Sequence, residues 1–263
     1  MKKSSIYSQG KEFLSFIRKG DFAHAGEEEA IELTLQDYDK NPSRQILDIG
    51  CGLGGTAQYI QTQGWGKVYG IDIEQDAIDY AENKYSDIEF QTCSANDIDK
   101  KFSANQFDLI MIFNAFFCFT DQKDALRAMA NIAKPTADLV IFDYAWQEPN
   151  SIENPFSGGT VAHFAPLHKE TMAELLLLTG WKLKKYTDIS ADFLKWYAML
   201  IQKMEILRQD AIAKFGASQF DRMYSNFKIA YEAFEKNKLQ GVILQARLHR
   251  MDPRFRGDDD VRD

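Results

Sequence analysis

The chain has 263 residues, 45% of them hydrophobic and 27% charged, with a formal net charge of -8. This length and apolar content suit one well-buried core in a single domain, and the acidic balance lacks the electrostatic footprint that a phosphate backbone demands, so no nucleic-acid partner is expected. No apolar run approaches the roughly 20 residues that span a membrane, the basic start Met1 to Ser5 has no apolar signal core behind it, and Cys51, Cys93 and Cys118 show no metal or redox spacing, so the expectation is a cytoplasmic protein with free thiols and no metal.

In chain order, apolar residues at Phe13, Leu14, Phe16 and Ile17 predict a helix over Glu12 to Arg18, broken by Lys19-Gly20-Asp21. Gly26 followed by three acids predicts a second helix start, since acids suit the positive end of a helix dipole. That helix runs through Ala30, Ile31, Leu33 and Leu35 to about Tyr38. Next comes Ile46-Leu47-Asp48-Ile49, a buried strand with one acid, then a turn carrying Gly50, Gly52, Gly54 and Gly55, then a helical pattern from Thr56 to Gln63. Glycines between a strand and a helix start make a bed for a nucleotide-like ligand. Gly50, Gly52 and Gly55 also fit the dinucleotide pattern, which is weak alone. Asp48 disfavours a pyrophosphate beside it, because like charges repel. It suits a cationic ligand.

Lys67 to Ile73 reads as the next strand, ending on Asp72. An acid about 20 residues beyond the glycines accepts from ribose hydroxyls in nucleotide-binding units. Asp72 also stands where a helix cap belongs, ahead of Glu74 to Lys84; both roles are compatible.

Leu47-Asp48-Ile49-Gly50-Cys51-Gly52-Leu53-Gly54-Gly55 followed by Gly70-Ile71-Asp72 resembles the class I S-adenosylmethionine-dependent methyltransferases, over about Phe16 to Arg247. The resemblance implies an α/β fold: a doubly wound, seven-stranded, mostly parallel Rossmann-like sheet, with an N-terminal helical cap and a helical insertion before the last strand. It implies S-adenosyl-L-methionine as cofactor, held by Asp48, Gly50, Gly52, Asp72 and Ile73. In the family an Asp after the third strand accepts from the adenine amino group and the next amide binds a ring nitrogen. By that pattern Asp97 and Ile98 are the adenine residues, with Ser94 the substitute if the strand ends earlier. The leader resembles that of the phosphoethanolamine and sarcosine/dimethylglycine methyltransferases, where such a segment folds over the cofactor. This would turn Phe22 and His24 toward the reaction centre; an exposed loop histidine is the competing reading.

Farther on, Ile88 to Cys93 alternates as a strand, and Phe107 to Asn114 is an apolar run suited to a strand buried on both faces. Asn114, at its carboxyl end, would reach the cofactor or the acceptor. Ala115 to Phe119 is an aromatic cluster. Thr120-Asp121 caps a helix over Gln122 to Ala133, and Lys134 to Asp138 is a turn lacking the family's two glycines. Leu139 to Tyr144 is a fifth strand, Gln147 to Pro166 a loop, His168 or Lys169 the start of a helix closed by Gly180, and Trp181 to Tyr186 a sixth strand. Two amphipathic helices follow, Ala191 to Phe215 and Ser218 to Lys238, then a last strand from Gly241 to Leu248. The expected organisation is a cap over 1–44, a methyltransferase domain over 45–248 with an acceptor-side insertion at 190–240, and a dispensable charged tail over 249–263.

The expected activity is methylation of a small-molecule acceptor, most simply at the nitrogen of a small amine. O- or C-methylation, a nicotinamide-dependent oxidoreductase and a non-catalytic cofactor binder are the alternatives. The phosphoethanolamine enzymes use a Tyr and a His as catalytic pair; here Phe22 and Cys118 stand at the matching positions. His24, His163, Tyr144 and Asp143 are the replacement candidates for a base, and catalysis by positioning alone is also open.

Overall fold

The computed structural model describes residues 6–147 and 163–249. Most of the expected 147–166 loop, and the tail beyond His249, lie outside the described residues. Among these, seven strands form one sheet: β1 (Gln45–Ile49), β2 (Lys67–Asp72), β3 (Glu89–Thr92), β4 (Phe107–Phe113), β5 (Ala133–Trp146), β6 (Trp181–Asp188) and β7 (Leu239–Leu248). Their order is β3-β2-β1-β4-β5-β7-β6. All pair in parallel except β7, which runs antiparallel to both β5 and β6.

Helices cover both faces, which explains the apolar runs of β1 and β4. Successive side chains of a strand point to opposite faces, so Ile46, Met111 and Phe142 enter one core while Leu47, Ile110 and Ile141 enter the other. The first core is covered by α1 (Ile6–Arg18), α2 (Glu27–Leu35), α3 (Gly55–Thr62), α4 (Gln75–Lys84), α7 (Ser190–Ile206), α8 (Arg208–Phe215) and α9 (Ala217–Glu235). The second is closed by α5 (Gln122–Ile132), α6 (Lys169–Leu178) and the 3-10 turn Ala95–Lys100. The chain leaves β3 on one side of β1 and returns as β4 on the other. The strand tips therefore part between β1 and β4, where ligands bind in open α/β sheets. No helix among the described residues is long and apolar enough to cross a membrane.

Two expectations are corrected. The glycine-poor segment Lys134 to Ala137 stays within β5 as a bulge, with Phe107 paired to Ala133 and Leu109 to Asp138. The first insertion helix is two, meeting at Leu207. The change of direction lets Phe215 of α8 meet Phe13 and Phe16 of α1, with ring centroids at 5.4 and 5.6 Å.

The expected cap segment, α1 and α2, packs into the first core and is tied to the glycine turn through the link between the two helices. Gly26, at φ 81°, lies against Trp196, where a Cβ would stand 2.5 Å from the indole. Gly55 is as tight against the backbone of Asp21, with a Cβ 2.5 Å from its carbonyl oxygen. The Asp21 carboxylate is buried and accepts from Ser15 Oγ (2.6 Å), Lys84 Nζ (2.6 Å) and Tyr85 Oη (2.6 Å). Burial alone would raise its pKa; hydrogen bonds from Lys84, Ser15 and Tyr85 outweigh that and lower it. This carboxylate clamps the cap to α4. Asp21→Ala should lower the unfolding free energy by about 1–3 kcal/mol, because it strands buried donors. Urea unfolding checks this, and an unchanged midpoint would show that the clamp carries no stability.

Candidate active site

A cleft of about 450 Å³ opens at the strand tips. Its floor is the β1–α3 turn and the ends of β2, β4 and β5; α1 and α9 roof it. Asp72, the last residue of β2, is 5% exposed and sits on the wall. Its Oδ2 accepts from the Gly52 amide (2.8 Å) and Lys11 Nζ (2.8 Å), and its Oδ1 from the Glu74 amide (3.0 Å). It thus holds the backbone of Glu74, the N-cap residue of α4, without itself capping the helix as the sequence suggested, and it faces the cleft.

The glycine turn needs left-handed backbone, with φ 78° at Gly50 and 56° at Gly52. A Cβ on Gly50 would stand 2.5 Å from Ala115, whereas one on Gly52 would face Lys11 at 3.8 Å. Gly50 is therefore required for packing and geometry together, and Gly52 for its conformation. Ile73 is 70% exposed on the cleft wall, an unusual position for a large apolar side chain. Next to it are Ser94, Ala95 and Asn96. Asp97 and Ile98 do not line the cleft. Asp97 is half exposed and paired with Lys100 at 2.5 Å, and Ile98 is buried in the second core. The polar rim beside Ile73 is thus Ser94 to Asn96, one turn earlier than Asp97 and Ile98.

Asp48 also sits off the wall. It is buried, its Oδ2 has no hydrogen-bond partner among the described residues, and burial followed by the charge of Asp72 pushes its pKa up to about 7. The carboxylate that lines the cleft is Asp72; Asp48 does not line it. Asn114 lines the cleft at φ 47°. Its Oδ1 accepts from the Ala25 amide (3.3 Å) and its Nδ2 donates to Asp143 Oδ1 (3.4 Å). It joins the cap to β4 and β5. Asp143 stays behind Asn114, its pKa pushed to about 7 by burial against hydrogen bonds from the Tyr144 and Phe117 amides and Asn114.

His24 faces neither solvent nor the cleft. It is 2% exposed, among Phe22, Phe113 and Phe142, with Nδ1 2.9 Å from the Ala25 carbonyl and Nε2 3.0 Å from Thr56 Oγ1. With Nδ1 donating to the carbonyl, Nε2 accepts from the threonine hydroxyl. Burial pushes its pKa down to about 4, so it is neutral at physiological pH. Phe22 packs beside it and does not line the cleft. His163 lines the cleft from an exposed position, and Cys118 lines it with its thiol pushed up by burial. Tyr144 lines it from the tip of β5, its hydroxyl hydrogen-bonded to that of Tyr197 on α7. Burial raises both phenols, Tyr197 to about 12, so both are protonated.

Lys11 and Leu14 join the wall without any sequence signal for it, and Phe117 comes from the aromatic cluster Ala115 to Phe119. Met223 and Phe227 come from the apolar stripe of the second insertion helix, which sequence placed near the acceptor without choosing residues.

A family model described as a methyltransferase domain matches residues 40–185, more than half the chain. The chain belongs to that family, and its sheet is the class I methyltransferase fold. It is 30% identical over 159 residues to the phosphoethanolamine N-methyltransferase of Plasmodium falciparum, covering 59% of this chain and 60% of that one. It is 25% identical to the enzyme of the same name from Triticum aestivum, covering 76% of this chain and 40% of the relative. The chain thus spans three-fifths or less of these two relatives. Among solved structures, phosphoethanolamine N-methyltransferase 2 of Haemonchus contortus, in complex with phosphomonomethylethanolamine and S-adenosylhomocysteine, superposes with a TM-score of 0.81 at 17% identity, over 92% of this chain and 58% of that one.

The buried imidazole has a pH signature. Its pKa is about 4 when folded and about 6.5 when unfolded. Between these the unfolded chain binds the extra proton, so the contribution of His24 is complete above the upper value and is lost as pH falls toward the lower one. Wild-type protein should lose on the order of 3 kcal/mol relative to His24→Gln as pH drops from about 7 to about 4. Urea unfolding of the pair across that range checks it, and a pH-independent difference would contradict it.

Proposed function

We propose that this protein is an S-adenosyl-L-methionine-dependent methyltransferase acting on a small molecule, with the nitrogen of a small amine as the methyl acceptor. The observation that carries the reading is Asp72: a buried carboxylate at the end of β2, hydrogen-bonded to the glycine turn and facing the cleft. The wall suits an adenosine. Asp72 would take the ribose hydroxyls in the place Lys11 holds, the exposed Ile73 would lie against the adenine face, and Ser94 to Asn96 would meet its polar edge. Gly50, Gly52 and Asn114 would border the amino-acid end. Among the described residues Lys11 is the one lysine or arginine on the wall, and it is committed to Asp72.

The cofactor supplies a methyl group on a sulfonium, already activated for in-line displacement. With the cofactor held there, the lone pair of a neutral amine would displace sulfur from the methyl carbon, the carbon–sulfur electron pair leaving with sulfur. Nitrogen takes the positive charge, and a primary or secondary amine then gives a proton to water. The protein's tasks are to align the two atoms and exclude water. The roof of α1 and α9 and the wall of Phe113, Phe117 and Tyr144 suit both. Tyr144 is placed to orient an acceptor by hydrogen bond. His163 is the imidazole on the wall, at an exposed point; His24 is too deep and stays neutral.

Isothermal calorimetry with S-adenosylhomocysteine should show one site per chain. Asp72→Ala should weaken it tenfold or more, as loss of a charged hydrogen bond of roughly 1.5–3 kcal/mol requires. No binding by folded wild-type protein, or an unaffected variant, would overturn the reading.

A further inference from the structure

The ammonium of Lys11 stands where two parts of a cofactor would meet. The strand order divides the cleft into two halves: β2 and β3 lie on one side of the β1–β4 parting and β5 on the other. Lys11 enters the first half from α1, with Nζ 2.8 Å from Asp72 Oδ2 and a side chain 18% exposed. Its stem crosses the glycine turn, for a Cβ on Gly52 would stand 3.8 Å from Lys11 Cδ and 3.9 Å from Cε. Burial raises the thiols of Cys51 in that turn and of Cys118 after β4, and the Lys11 charge opposes the rise at both. The ammonium is therefore felt on both sides of the parting.

The turn has already used much of its own hydrogen-bonding capacity. The amides of Gly50 and Cys51 donate to the Ile71 carbonyl at 2.8 and 2.9 Å, that of Gly52 to Asp72 at 2.8 Å, and that of Gly54 to the Cys51 carbonyl at 3.0 Å. A carboxylate lying over these four amides needs a donor from another segment, because an anion that loses water without gaining a partner is strongly disfavoured. Lys11 faces the matching problem. Once ribose hydroxyls take Asp72, a largely buried ammonium loses its partner, which is costly in the same way. A lysine carries a compact charge on a flexible four-carbon stem. The ammonium can therefore pass from one carboxylate to another while its backbone stays in α1.

We infer that Lys11 binds the α-carboxylate at the amino-acid end of S-adenosyl-L-methionine. The inference rests on the methyl-transfer reading and adds to it a residue that neither the glycine pattern nor Asp72 implies. The ammonium that neutralises Asp72 in the structure turns to the cofactor's own carboxylate, and Asp72 accepts from the ribose. Neither charge is left without a partner by the exchange.

The test is calorimetric titration of the full chain, wild type and Lys11→Met, with S-adenosylhomocysteine and with its carboxamide, in which an amide replaces the carboxylate. Wild-type protein should bind the acid about tenfold or more tightly than the amide, and Lys11→Met should bind the two within about threefold of each other, as loss of a charge-assisted hydrogen bond requires. Equal binding of the two by wild-type protein, or a preference that Lys11→Met retains, overturns the inference while leaving the methyl-transfer reading in place. Failure of S-adenosylhomocysteine itself to bind wild-type protein overturns both. Methionine keeps an unbranched stem over Gly52; if Lys11→Met nonetheless shows no thermal unfolding transition, Lys11→Gln takes its place in the same comparison.

Discussion

The Asp72 carboxylate is the junction on which the site depends. Three segments distant in sequence converge on its two oxygens: the glycine turn through the Gly52 amide, the start of α4 through the Glu74 amide, and the cap through Lys11. A buried carboxylate is tolerated only where donors compensate its lost hydration, so the three segments fix one another's positions. The glycine turn can approach because its backbone is left-handed at Gly50 and Gly52. One charged group thus shapes the turn, holds the residue that precedes α4 and presents an acceptor to the cleft.

The cap is held by a second carboxylate of the same kind. Asp21 gathers Ser15, Lys84 and Tyr85, while its backbone presses on Gly55. His24, three residues later, reaches Thr56 at the start of α3. The α1–α2 link is therefore built into the glycine-turn region at several points. This arrangement sets the roof of the cleft relative to its floor, and α1 carries both Lys11 over the first half and Leu14 over the second. The second half is completed by α9, whose apolar stripe continues into the packing of Tyr197, Phe227 and Phe234.

Much of this was legible in the chain. The apolar runs of β1 and β4 announced strands buried on both faces, and the four glycines before Thr56 announced the turn. The Asp72 spacing singled out a residue that the structure places on the cleft wall. Other features depended on contacts that no local pattern encodes. Asp48 and Asp72 both read as acids at strand ends, but only the three-dimensional path shows one off the wall and the other on it. His24 read as a residue facing the reaction centre or as an exposed loop histidine; it is neither, because aromatic rings from β4 and β5 enclose it. Asp97 fitted a sequence pattern, yet the 3-10 turn points Ile98 into the second core and leaves Asp97 to Lys100. Leu207 offered no break in the helical period; the bend there serves the contact of Phe215 with α1.

A crystal structure of the protein with S-adenosylhomocysteine bears most directly on the central claim. The account predicts the ribose hydroxyls on Asp72, the adenine against Ile73 and the Lys11 ammonium moved away from the carboxylate. A nucleoside bound elsewhere, or an intact Lys11–Asp72 pair beside a bound ligand, would contradict it.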